Sequence, residues 1–96
     1  MAHLEVNVVA ADRTVWRGEA RMVCAPAADG DMGILPGHTP VLAVLDAGIV
    51  RITTLDGPVE SVGVDEGFLS VDANRVTIVV HAASEIGPGA SGTGGD

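Results

Sequence analysis

Ile49-Val50-Arg51-Ile52-Thr53-Thr54-Leu55-Asp56-Gly57-Pro58-Val59-Glu60-Ser61-Val62-Gly63-Val64 reads as two strands joined by a tight turn. β-Branched residues dominate both arms, and such side chains suit a pleated surface better than a helix. Asp56-Gly57 between two apolar runs is a strong hairpin signal, because glycine supplies the positive φ that a tight turn needs. Pro58 opens the return arm, where its missing N–H costs little.

The same pattern continues on both sides of the hairpin. Phe68-Leu69-Ser70-Val71 is a further strand, Asp72-Ala73-Asn74-Arg75 a turn, and Val76 to Ala82 the last strand. Upstream, Val41-Leu42-Ala43-Val44-Leu45 is continuously apolar, which predicts a strand covered on both faces. Leu4-Glu5-Val6-Asn7-Val8 alternates, with Leu4, Val6 and Val8 on one face. Thr14-Val15-Trp16 forms a short strand ending near Gly18, and Ala20 to Cys24 another. Short strands at close spacing, with no run of helical periodicity, predict an all-β sandwich or barrel.

Gly87 to Asp96 contains no apolar side chain larger than Ala. Ordering such a stretch costs about 1–2 kcal/mol per residue with almost no burial to offset it. The expected organisation is therefore one domain over residues 1–86 and a disordered Gly/Ser-rich tail over 87–96. A core this small is marginal alone, and docking onto a partner would add stability.

Thirteen acidic residues stand against five arginines and no lysine, a formal net charge of -8. The arginines are scattered, so the basic stripe that nucleic acid or anionic lipid requires is missing. A basic protein surface fits this charge, and so does a merely solubilising role. Cys24 is the single cysteine. It excludes an intrachain disulfide and is expected to be a small buried apolar residue. No secretory leader pattern and no apolar run of about 20 residues occurs, so no direct membrane insertion is expected.

Asp29-Gly30-Asp31-Met32-Gly33-Ile34-Leu35-Pro36-Gly37-His38-Thr39-Pro40 breaks the strand pattern. Three Gly and two Pro in twelve residues predict a shaped loop, with a short extended piece from Met32 to Leu35. Shaped loops on a rigid sandwich commonly carry binding. Asp29 and Asp31 begin like a calcium loop, but the twelfth position is Pro40 where an EF-hand needs Glu. The glycines precede no Lys-Ser/Thr and no helix, which argues against a phosphate loop. A catalytic role for His38 would need a partner acid or a nucleophile fixed nearby, and His3 and His81 are scattered. No catalytic residue, cofactor, metal or small-molecule substrate is expected. Trp16 and Phe68 read as core or sandwich-edge residues.

The run from Gly30 to Pro40 resembles the signature loop of F-type ATP synthase epsilon subunits. The resemblance extends along residues 3–85. Val15-Trp16-Arg17-Gly18-Glu19-Ala20 is similar to that family's first-strand region with its aromatic-x-Gly turn. Gly48-Ile49-Val50-Arg51-Ile52, Asp65-Glu66-Gly67-Phe68-Leu69-Ser70-Val71 and Val76 to Val80 are similar to its later strands.

The resemblance implies a β-sandwich of about ten strands at the foot of the central stalk of a proton-translocating synthase. Such a domain is a non-catalytic rotor part that packs against the gamma subunit and touches the c-ring. It lies at the cytoplasmic face of the membrane, held peripherally through its partner subunits. On this resemblance Asp31, Met32, Gly33 and Ile34 lie on the c-ring side, and His38 and Pro40 on the gamma side. Glu66 stands where the family commonly has Gly. The helical hairpin that follows the sandwich in many members is missing after Ile86, so neither inhibition nor ATP binding is carried over. The competing reading is a free-standing β-sandwich binding module, which predicts a pocket with convergent polar groups. A small hydrolase would need a triad that the sequence lacks.

Overall fold

The long strand β2 (Arg13–Ala27) organises the fold, serving two sheets in turn. Around it lie β1 (Leu4–Ala10), β3 (Gly30–Ile34), β4 (Val41–Leu45), β5 (Gly48–Thr54) and β6 (Val59–Val64), then β7 (Gly67–Asp72), β8 (Arg75–Val80) and β9 (Ala83–Pro88). These are the elements of a computed structural model that describes residues 2–11 and 13–88. The first half of β2 runs antiparallel to β1, with Leu4 opposite Ala20 and Val8 opposite Trp16. Beyond Ala20 it enters a second layer, pairing Val23 with Ile52 of β5 on one edge and with Ile34 of β3 on the other. A register shift between Ala20 and Met22 marks the passage. Such a shift bends a strand and raises its twist, letting one strand turn a corner between layers.

One layer is therefore the first half of β2, then β1, β8, β7 and β4. The other is β3, the second half of β2, then β5, β6 and β9. The pairing of β1 with β8 is parallel and the other pairings are antiparallel. The expected all-β sandwich is present. Its nine strands approach the expected ten because β2 contributes to both layers.

Alternation places the core. Leu4, Val6, Val8 and Ala10 turn inward from β1, and Val76, Ile78 and Val80 from β8. They meet Val50, Ile52, Val62 and Val64 from the facing layer. Burying each Val, Leu or Ile contributes roughly 1.5–3 kcal/mol. Ser61 is the one buried polar residue among the described residues.

The hairpin of the opening stretch is β5–β6, and Gly57 takes φ +110° in its turn. Elsewhere several expectations need correction. Thr14–Trp16 and Ala20–Cys24 are parts of one strand, so the aromatic-x-Gly segment is not a turn. The indole of Trp16 lies along the strand over Gly18, where a Cβ would come within 2.9 Å of the ring. Gly30 to Ile34 is a regular strand despite its glycines, because β2 supplies a partner in register from Ala27 to Val23. Val76 to Ala82 is not the last strand. β8 ends at Val80, and β9 pairs with β6 through Pro88, two residues beyond the expected domain boundary. The stretch 89–96 of the expected tail lies outside the described residues.

Candidate functional site: a docking surface on one sheet and its end loops

The segment Asp29–Pro40 spans β4 from end to end. At one end, Gly30 lies opposite Ala27, which in turn bridges Leu45, the last residue of β4. At the other end, the chain leaves β3 at Ile34 and returns into β4 at Val41. Asp31 and His38 therefore sit towards opposite ends of the sandwich.

The Asp31 end is acidic. Asp29 and Asp31 belong to the β2–β3 hairpin, Asp46 to the β4–β5 connection, and Asp65 and Glu66 to the β6–β7 connection. All of these connections come to the same end of the strands. Asp29, Asp31, Asp46 and Glu66 are exposed. Asp65 is half-buried and partly used in the fold: its Oδ1 accepts the Ala82 N–H at 2.8 Å, and its Oδ2 lies 3.4 Å from His81 Nδ1.

The four residues expected together on this side divide. Asp31 and Gly33 are exposed, and Met32 is half-buried against the core. Ile34 is 0% exposed and belongs to the core. The expectation of a surface role for Ile34 is therefore corrected: in a paired strand, alternation turns it inward while Gly33 turns out.

The other end carries His38 and Pro40. Leu35-Pro36-Gly37-His38 forms a tight turn, with the His38 N–H donating to the Leu35 carbonyl at 3.1 Å and Gly37 at φ +88°. Proline second and a positive-φ glycine third is the type II signature. The turn is fixed to the body by Asn74, whose Oδ1 accepts the Gly37 N–H at 2.8 Å. Asn74 itself stands at φ +64° in the β7–β8 turn, and its backbone carbonyl accepts the Glu5 N–H at 2.8 Å. His38 is half-buried, with Nδ1 2.7 Å from the Thr39 carbonyl oxygen. Pro40 is exposed.

Between the two ends lies a sheet surface that the sequence reading missed. Cross-strand partners share a face, and the register places Val9, Val79, Phe68 and Val44 in one row across β1, β8, β7 and β4. Phe68 is 47% exposed and Val44 64%. The next row is Asn7, Thr77, Ser70 and Leu42, with Leu42 72% exposed. The third is Glu5, Arg75 and Asp72. The prediction that both faces of Val41–Leu45 are covered is thus corrected: Val41 and Leu45 face inward or half inward, while Leu42 and Val44 face solvent. Leu42, Val44 and Phe68 therefore form one exposed apolar cluster on this face.

Among the described residues, no group of three His, Cys, Asp or Glu is placed to hold a metal ion. Cys24 is half-buried rather than fully buried, on the outer face opposite Arg51 and Gly33. The surface groove near Asn7 and Arg17 is lined largely by polar and charged residues, two of which, Glu5 and Arg75, pair at 3.7 Å.

Residues 3–86 match the family described as the ATP synthase delta/epsilon chain β-sandwich domain. A Streptomyces avermitilis protein named ATP synthase epsilon chain is 45% identical over 82 residues, 85% of this chain and 66% of that protein. Its namesake in Micrococcus luteus is 46% identical over 83 residues, 86% of this chain and 91% of that protein. The chain thus spans just under two thirds of the first relative and most of the second. Among solved structures, a chain of the Euglena gracilis mitochondrial ATP synthase, determined with OSCP, F1 and c-ring, has the same fold. It superposes with a TM-score of 0.84 at 20% identity, over 90% of this chain and 55% of that one. A chain of the Tetrahymena thermophila mitochondrial ATP synthase central stalk and c-ring superposes with a TM-score of 0.66 at 16% identity. The chain belongs to the ATP synthase delta/epsilon chain family, and residues 3–86 are its β-sandwich domain.

Proposed function

We propose that this chain is a non-catalytic epsilon subunit in the central stalk of a proton-translocating F-type ATP synthase. It turns with the c-ring and passes that rotation to the catalytic head through the gamma subunit. Its place is the cytoplasmic face of the membrane, where partner subunits hold it. The observation that carries this reading is the open apolar row ending in Phe68 and Val44, with Leu42 beside it, on a chain of this family. A joint that transmits torque needs a stiff body and a broad contact. The two-layer sandwich supplies the first, since its interior is close-packed and interlocked. The apolar sheet face supplies the second; its row of Phe68 and Val44 lies nearer the acidic end, and Leu42 nearer the turn that carries His38.

The acidic end suits a different neighbour. Asp29, Asp31, Asp46 and Glu66 would meet a basic or polar surface such as the loops of the c-ring, with charge acting mainly on encounter rate and register. On this arrangement Asp31, Met32 and Gly33 lie on the c-ring side and His38 and Pro40 on the gamma side. Ile34 supports the strand from within. No active site and no cofactor is required of the chain, since its work is mechanical.

Replacing Phe68 and Val44 together by Asp tests the apolar contact. Both side chains point to solvent, so the isolated domain should keep its melting temperature within a few degrees. Reconstituted synthase carrying the pair should lose bound epsilon chain and coupled ATP synthesis, because two unpaired charges would be buried in the contact. Full assembly and coupling with this variant would remove the sheet face from the joint.

A further inference from the structure

We propose that Asn74 is the positioning residue of the docking loop. Its side-chain carbonyl holds the Leu35–His38 turn so that His38 presents Nε2 to a hydrogen-bond donor on the partner. The inference rests on the reading that this loop docks.

The turn contains Pro36 and is followed by Pro40, and the bond from the Gly37 N–H to Asn74 Oδ1 ties it to a distant part of the fold. Asn74 can serve in this way because three constraints meet on it. It takes φ +64°, a conformation Asn tolerates better than most residues. Its backbone carbonyl is held by the Glu5 N–H, which fixes the β7–β8 turn to the start of β1. Its Oδ1 is then left aimed at Gly37. The hydrogen bond spans 37 positions of sequence, so it fixes the turn against the body of the sandwich and not merely internally.

The consequence falls on His38. Its Nδ1 lies 2.7 Å from the Thr39 carbonyl, which can only accept, so Nδ1 carries the proton. In the neutral ring Nε2 is then an acceptor. Nε2 has no hydrogen-bond partner among the described residues and is not among their buried unpartnered atoms. A donor on the partner, such as a backbone N–H, a hydroxyl or a basic side chain, is the complementary group. Without Asn74 the turn retains its internal hydrogen bond but loses its fixed place, and the His38 acceptor loses its aim.

The test uses Asn74→Gly, which removes the acceptor but places the residue best suited to this turn position, so the hairpin is retained. Asn74→Asp keeps an acceptor at Oδ1. Amide exchange at Gly37 and affinity for the isolated gamma subunit are measured for both, and for His38→Ala with and without Asn74→Gly. In Asn74→Gly, Gly37 should exchange roughly three- to tenfold faster and affinity should fall by a similar factor, as for one lost hydrogen bond. Asn74→Asp should stay within about twofold of the starting protein on both readouts. Adding Asn74→Gly to His38→Ala should cost little further affinity, because the two act as one unit. Wild-type affinity of Asn74→Gly, unchanged Gly37 exchange, or full additivity with His38→Ala would each overturn the role. Failure of the unsubstituted chain to bind gamma would instead overturn the docking reading, and the positioning role with it.

Discussion

Gly67 carries the tightest constraint in the fold. A Cβ there would collide with the Val79 carbonyl oxygen and come within 2.7 Å of Val80 Cα, both backbone atoms of the paired strand β8. Its neighbour Glu66 occupies a position where the resembling family commonly has Gly, yet it is exposed and is not among the residues with positive φ. The requirement for glycine falls on the second residue of the pair alone. Gly67→Ala should therefore destabilise the domain by about 3 kcal/mol or more, since neither strand can move aside. Denaturant unfolding checks it, with Gly33→Ala as the comparison: a Cβ there meets only the flexible end of Met22, at 3.4 Å. Ala73 offers the opposite case. It holds φ +50° in the β7–β8 turn, which costs a residue with a Cβ about 1–2 kcal/mol. Ala73→Gly should raise stability by about 0.5–1 kcal/mol after the entropy of glycine is set against that gain. For a domain of this size the melting temperature would rise by about 2–8 °C. A lower melting temperature would contradict the strain assigned to this turn.

Strands with clean alternation or strong turn signals were legible in the sequence, and those stabilised by distant pairing were not. β1, β5, β6 and β8 announce themselves through inward Val, Ile and Leu, and Asp56-Gly57 fixes the hairpin. β3 was concealed by its glycines, and it exists because β2 extends far enough to pair with it. β9 was concealed by Ala, Ser and Gly, residues of modest strand propensity, and it exists because β6 offers an open edge. The bond from Arg13 Nη2 to the Ala83 carbonyl, at 3.1 Å, adds a tie across the fold. The loop from Asp29 to Pro40 was readable as a motif. The sheet face beside it was not, because a continuous apolar run looks the same whether the fold or a partner covers it. Asn74 escaped notice because its partner Gly37 is remote in sequence. β9 gives a direct test. Ending the chain after Ala82 should lower stability by about 2–3 kcal/mol through lost edge hydrogen bonds, or about 8–24 °C in melting temperature. Ending it after Pro88 should change the melting temperature by no more than about 1 °C, as the composition of 89–96 predicts. Equal melting temperatures for the two truncations would show that β9 adds nothing.

The sandwich as a body has two kinds of surface, each suited to a different partner. One is the apolar sheet face with Leu42, Val44 and Phe68, which lies between the His38 turn and the acidic end. The other is the acidic end with Asp29, Asp31, Asp46 and Glu66. They should respond differently to salt. Contacts of the acidic end weaken as ionic strength rises, because exposed charges are screened over about 8–10 Å at physiological salt, while apolar contacts persist. Asp31→Lys should accordingly slow association with the c-ring at low salt and matter little at high salt. Its equilibrium effect should be no more than about 1 kcal/mol, as for an exposed pair. Ile34→Asp, by contrast, should unfold the isolated domain, because it places a charge in the core, and so it says nothing about docking. The central claim is that the folded chain docks on the central stalk through its apolar face. The most direct measurement is a titration of the chain onto the purified gamma–c-ring assembly of its own synthase, with the Phe68→Asp/Val44→Asp variant alongside. The account predicts saturable binding of one chain per stalk, persisting at high salt and abolished in a variant that remains folded. A folded chain that fails to bind, or a variant that binds as well as the parent, would contradict it.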